Sequence, residues 1–246
     1  MRWLILFCCF TGLFGFSFSG AAQLPELHPS VGEFPQLHPD SLAKLLALQK
    51  EFEELMELEI SYQECTPHQK HLMENEMLYS RSPLSTAPWG CSWYCASDAM
   101  NAQASSTLSP TTSTSYAANQ VHDFDLKTAW VEGETGNGEG SRIRIETKAT
   151  GLLRLTEIIV YNGYCKDLNT WKANGRIKTA KLFINGAPVA LLHLEDDYRA
   201  QTFEIGSFAG KDGYVLVELA IIDVYPGEMY ADTALSEINF EGTGHH

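Results

Sequence analysis

The pattern of apolar and polar positions changes character three times along the chain. Trp3 to Phe18 is an almost uninterrupted apolar run. Leu42, Leu45, Leu46, Phe52, Leu55, Met56 and Ile60 then recur at the spacing of one helix face, with Glu51, Glu53, Glu54, Glu57 and Glu59 between them. Asp40 or Ser41 supplies an N-cap for this helix, and a second short helix is expected around Pro67–Leu78. From about Ala87 onward the period falls toward two, most plainly in Arg142-Ile-Arg-Ile-Glu146 and Lys181-Leu-Phe-Ile184. Strands are expected at Ser141–Thr147, Leu155–Tyr161, Lys178–Ile184, Ala187–Leu194, Gln201–Ile205, Tyr214–Val224 and Leu235–Phe240. Turn signals divide them at Gly136-Asn-Gly138, Asn185-Gly186, Gly210–Gly213 and Pro226-Gly227. About eight short strands with no helix between them predict a mainly β protein, an antiparallel β-sandwich of the jelly-roll kind.

The segments before the sandwich read differently. Arg2, the apolar run and the small residues Ser19-Gly20-Ala21-Ala22 predict an export signal over residues 1–22. The run is shorter than the roughly 20 residues of a comfortable bilayer span, although a retained N-terminal anchor is the alternative. Residues 23–39 hold an internal echo, Pro25-Glu-Leu-His-Pro29 and Pro35-Gln-Leu-His-Pro39, whose proline density predicts an extended linker. Residues 40–84 form a helical spacer and residues 85–246 the sandwich. The expected destination is the periplasm, the cell surface or the exterior.

Composition narrows the function. The formal net charge of the 246 residues is −14 and no Lys/Arg-rich run occurs, which argues against nucleic acid and anionic lipid as partners. A neutral partner such as a glycan fits better. Removal of the signal leaves Cys65, Cys91, Cys95 and Cys165 in a chain bound for an oxidising compartment. Cys91 and Cys95 are the candidate disulfide, favoured over a zinc site because no second close pair accompanies them. His68, His71 and Glu74 lack the i, i+4 histidine pair of a zinc protease. No nucleophile elbow, phosphate loop or dinucleotide fingerprint is present, and the acidic run Glu195-Asp196-Asp197 reads as a solvated loop. A non-enzyme is expected.

The most informative stretch is Tyr116-Ala-Ala-Asn-Gln-Val-His-Asp-Phe-Asp-Leu-Lys-Thr-Ala-Trp130. With Leu155–Gly163, Asn174–Leu182 and Ala234–Phe240 following in order, it resembles the discoidin, or F5/8 type C, group of the galactose-binding-like superfamily. Together with Gly90–Cys95 and Val224–Gly227, the chain is most similar to the glycan-binding domain named after bacterial NAD glycohydrolase toxins, over about Ser85–Glu241. That resemblance implies an exported bacterial, non-catalytic carbohydrate-binding module; in the toxins a related domain assists translocation. Residues 23–84 leave no room for an NAD-cleaving domain. The resemblance also implies a structural Ca²⁺ held by Asp123, Asp125, Thr128 and Glu237, an all-oxygen set suited to a hard cation. An Asp-rich turn with ordinary side-chain hydrogen bonds is the competing reading. The common Asp-Gly-Asp is here Asp123-Phe124-Asp125, and because Phe rarely adopts positive φ the loop is expected to differ from that of its relatives. Trp171, set in a charged loop, is the candidate aromatic platform for a sugar, with simple loop packing equally open. Tyr164, Tyr230, Asn169, Arg176 and Asp197 are further ligand candidates, whereas Trp93 and Trp130 are expected to pack inside. The alternative function is a protein–protein scaffold or adhesin domain.

Overall fold

Alternating burial along Arg142–Lys148, out-in-out-in, is the sandwich pattern at its clearest. The computed structural model describes residues 23–32, 39–88, 92–95, 97 and 101–244; the expected export signal at 1–22 lies outside them. In chain order the strands are β1 (Glu26–Leu27), β2 (Ser30–Val31), β3 (Asn101–Ala104), β4 (Trp130–Val131), β5 (Arg142–Lys148), β6 (Arg154–Asn162), β7 (Arg176–Ile184), β8 (Ala187–His193), β9 (Gln201–Ala209), β10 (Tyr214–Tyr225) and β11 (Ala234–Thr243). The helices are α1 (Pro39–Met56), α2 (Pro67–Glu74), α3 (Glu76–Tyr79) and α4 (Leu168–Ala173). One sheet runs β1-β8-β7-β10-β5-β3 and the other β2-β9-β6-β11-β4. All pairings are antiparallel except β1 with β8. The fold is thus a two-sheet β-sandwich. Trp130, Phe203, Phe240, Ile158, Leu182 and Ile143 fill the space between the sheets and are almost wholly buried.

Residues 26–31, expected to be part of a free linker, lie along the sandwich instead. Glu26 and Leu27 pair with Leu191 and Leu192 on the edge of one sheet, and Ser30 and Val31 pair with Thr202 and Gln201 on the edge of the other. Pro25 and Pro29 flank these two-residue strands rather than interrupt them, which is where an edge tolerates proline. The His28 ring stacks on His193 with centroids 5.1 Å apart. The stretch therefore straps both sheet edges together.

The helical segment has its own small core of Phe52, Leu55, Leu72 and Tyr79. Thr66 and Gln69 close a reciprocal capping box at the start of α2, with Pro67 at its first position. The N-terminal half of α1 reaches further: Leu42 packs with Leu84, Leu126, Cys165 and Trp171, against the loops at one end of the sandwich.

Candidate functional site

Those loops join the ends of β6, β8 and β10 to the starts of β7, β9 and β11, and they carry most of the residues singled out by sequence. Asn162, at the end of β6, pairs with Ile177 on β7 through its side chain: Nδ2 donates to the Ile177 carbonyl (2.7 Å) and Oδ1 accepts the Ile177 N–H (2.9 Å). The chain then turns through Gly163, whose φ of 88° suits glycine and whose missing Cβ makes room for Trp171 and Arg176. Asp167 caps α4 by accepting the Thr170 N–H at 2.8 Å. α4 is short and was not expected, because six residues between turn signals carry little periodicity.

α4 turns Trp171 inward. The indole is buried, its Nε1–H donates to the Asn162 carbonyl at 2.8 Å, and the Arg176 guanidinium lies over it. Trp171 therefore offers no open face to a sugar. Arg176 is buried as well, paired with Asp196 at 3.0 Å and donating to the carbonyls of Asn174 and Pro226. Tyr164 is buried with its hydroxyl donating to the Lys127 carbonyl at 3.1 Å. Asp197 is engaged by Arg199, whose hydrogen bonds hold its carboxyl below the usual range. All four were sequence candidates for ligand contact, and all four are committed within the protein because the loops pack on one another and on α1. Two candidates face outward. Asn169 is exposed on α4, and Tyr230 is half exposed on the loop between β10 and β11.

That last loop is held firmly. The N–H groups of Glu228, Met229 and Tyr230 donate to the carbonyls of Lys172 and Ala173 at 2.8 to 3.1 Å. Gly227 permits the approach, since a Cβ there would lie 2.5 Å from the Ala173 carbonyl oxygen. Glu132 is a further buried organiser of this end that sequence reasoning missed. Its carboxylate accepts the N–H groups of Glu134 (2.7 Å) and Thr233 (3.2 Å), tying the glycine-rich loop after β4 to the start of β11. A glutamate directly after the Trp-Val of a strand was the only available signal.

The four cation candidates are brought together. Glu237 on β11 is fully buried, and its Oε1 accepts the N–H groups of Asp123 (3.2 Å) and Asp125 (3.1 Å), while Oε2 has no hydrogen-bond partner. The Asp123 carboxylate accepts the Asp125 N–H (3.1 Å) and the Thr128 hydroxyl (2.7 Å). Phe124 between them does adopt positive φ, at 61°, the backbone conformation that a Phe at this position had made unexpected. Its ring is locked against His122 (4.6 Å between centroids) and Tyr94 (5.3 Å), contacts that offset the backbone strain. Burial, reinforced by the Asp123 carboxylate, pushes the Glu237 carboxyl up to about 9. An orphaned buried oxygen among oxygen donors fits a hard cation. Among the described residues no three His, Cys, Asp or Glu side chains form a ready cluster, so such an ion would also draw on main-chain carbonyls and water.

Of the candidate disulfide, Cys91 lies outside the described residues; Cys95 is an exposed free thiol.

A family model described as NAD glycohydrolase translocation F5/8 type C domain matches residues 93–241. No curated protein matches the chain. Among solved structures, arabinofuranosyltransferase AftD from Mycobacteria is similar at 15% identity and TM-score 0.42, over 60% of this chain and 11% of that one. The CBM32-1 and CBM32-2 domains of Clostridium perfringens ZmpB are similar at 13% identity and TM-score 0.40, over 79% of this chain and 56% of theirs.

Proposed function

The chain belongs to the NAD glycohydrolase translocation F5/8 type C domain family, and from that premise we propose that it is an exported, non-catalytic glycan-binding module. The observation that carries the reading is Tyr230. It is the one aromatic ligand candidate that stands in solvent, on a loop clamped to α4 by three main-chain hydrogen bonds. A sugar stacks its apolar face on such a ring, and a preorganised loop spares the entropy of ordering it. Asn169 is the exposed polar candidate on α4 itself. Trp171, Arg176, Tyr164 and Asp197 serve this site by positioning its loops.

In this proposal Ca²⁺ is structural. Asp123, Asp125, Thr128 and Glu237 would hold it, and bound there it would neutralise the Glu237–Asp123 pair and brace the signature loop. Residues 1–22 would direct export, and no described helix is long and apolar enough to cross a membrane.

A protein partner is the second reading, favoured by the exposed Met56, Leu58 and Tyr62 at and just beyond the end of α1. A glycan array with the full chain, in calcium and again in chelator, separates the two. Selective binding that Tyr230→Ala abolishes supports the module. Silence across a broad array, or binding indifferent to Tyr230→Ala, rejects it.

A further inference from the structure

Four Asn-Gly pairs occur in the chain, beginning at Asn137, Asn162, Asn174 and Asn185. In such a pair the glycine nitrogen can attack the asparagine side-chain amide carbon, because glycine carries no Cβ to obstruct the five-membered ring that forms. The fold treats the four differently. Asn162 is wholly buried, and both atoms of its amide are bonded to Ile177. Asn174 is buried too: its Nδ2 donates to the Thr170 carbonyl at 2.8 Å, and the Gly175 N–H donates to the Asp232 carbonyl at 2.9 Å. Asn185 accepts the Leu216 N–H on Oδ1 at 3.0 Å and donates from Nδ2 to the Ala209 carbonyl at 3.3 Å. Asn137 is exposed, in the glycine-rich loop after β4. Among the described residues it is engaged only through its main-chain carbonyl, which accepts the Thr233 hydroxyl at 2.7 Å. Neither its side-chain amide nor the Gly138 N–H has a partner among those residues.

Gly138 cannot give way to a bulkier residue. Its φ is 83°, and a Cβ there would lie 2.6 Å from Cγ and Cδ of the buried Glu132. The loop thus requires the residue that leaves Asn137 open to attack. We propose that Asn137 is a modification site, at which the chain deamidates spontaneously through a succinimide. The Gly138 nitrogen loses its proton to hydroxide or water and bonds to Asn137 Cγ, the Cγ–Nδ2 bond breaks, and ammonia leaves. Water then opens the ring at either carbonyl, giving aspartate or isoaspartate, with no oxidant or reductant involved. The Thr233 hydroxyl holds the Asn137–Gly138 peptide still, and the free side chain swings to it. At the other three pairs the amide must first break away. With each hydrogen bond contributing about 1 kcal/mol net, two of them slow the reaction roughly tenfold or more. The product adds a carboxylate to a loop that already holds Glu132, Glu134 and Glu139. Isoaspartate also lengthens the main chain by a methylene at the residue that Thr233 holds, which weakens the tie between this loop and the start of β11. The site does not depend on glycan binding.

The test is peptide mass spectrometry of the full native chain, aged at neutral to mildly alkaline pH in heavy-oxygen water. Aspartate and isoaspartate, both carrying solvent oxygen, are expected at position 137 about tenfold or more ahead of Asn162, Asn174 and Asn185, and sooner at higher pH. In urea the four sites should converge, since only the fold distinguishes them. Asn137→Gln should remove the modification at that position and keep its melting temperature on ageing. Aged parent enriched in isoaspartate by ion exchange should melt below fresh parent. Native Asn137 that reacts no faster than the three held asparagines would overturn the proposal, as would a product of aspartate alone without isoaspartate. Aged and fresh parent melting together would overturn the weakened tie to Thr233.

Discussion

The guanidinium of Arg176 lies 4.7 Å from the centre of the Trp171 indole, and the pair closes the loop end of the sandwich from within. The same guanidinium holds Asp196 and two carbonyls, so it joins the start of β7 to the loops before β9 and before β11. The indole in turn anchors α4 to the end of β6. Trp171→Ala should therefore act on folding, with a loss of roughly 3–5 kcal/mol, the usual cost of deleting a buried aromatic. Urea unfolding measures it. Tyr230→Ala, at an exposed position, should change stability by no more than about 0.5 kcal/mol. Equal effects of the two substitutions on stability would contradict this division of labour.

Glu237 is the acceptor for two main-chain donors of the signature loop. Glu237→Ala leaves both N–H groups without their partner and should cost about 1–3 kcal/mol, the penalty for an unmet buried donor. Glu237→Gln keeps a carbonyl oxygen in place and should cost less. If Ca²⁺ binds here, it should raise the melting temperature of chelator-treated parent protein, and neither Glu237→Gln nor Asp123→Asn should respond as strongly. A calcium-independent melting temperature in the parent would remove the cation from the account and leave the hydrogen bonds.

Sequence carried the strands because alternation reports burial directly: Arg142 and Arg144 face out, Ile143 and Ile145 face in. It carried the meeting of Asp123, Asp125, Thr128 and Glu237 only through family resemblance, since nothing local says that β11 passes beneath that loop. Aromatic orientation was not legible. Trp171 and Tyr230 both sit among polar neighbours in sequence, and only tertiary packing turns one inward and leaves the other out. Phe124 misled for a related reason, since its unfavourable φ is sustained by His122 and Tyr94, of which Tyr94 lies thirty positions away. The edge strap escaped notice because two-residue strands have no periodicity to read.

The cysteines differ sharply in exposure. Cys165 is fully buried, and burial pushes its thiol up to about 12, so at neutral pH it is both inaccessible and protonated. Cys65 is buried and Cys95 exposed. Native protein purified under reducing conditions should label at Cys95 within minutes, and at Cys65 and Cys165 only after denaturant is added. Peptide mass spectrometry reads the pattern. Rapid native labelling of Cys165 would mean that the loop end opens far more readily than its packing allows.

Glu132 gives the fold a pH dependence of definite sign. Burial raises its carboxyl above the ordinary value of 4.5, with Asp232 and Glu134 adding to the rise and the N–H groups of Glu134 and Thr233 working against it. A raised value means that the folded protein holds this proton more tightly than the unfolded chain does. Its contribution to stability is therefore fully present below the unfolded value and declines as pH rises through the window just above 4.5. Glu132→Gln has no such proton, so the stability of the parent relative to this variant should fall across that window and then level. Urea unfolding of both proteins from about pH 4 to pH 8 supplies the comparison, with shared effects of other groups cancelling in the difference. A difference that stays flat would show that the two N–H donors fully compensate the buried charge, and that Glu132 stays ionised in the fold throughout.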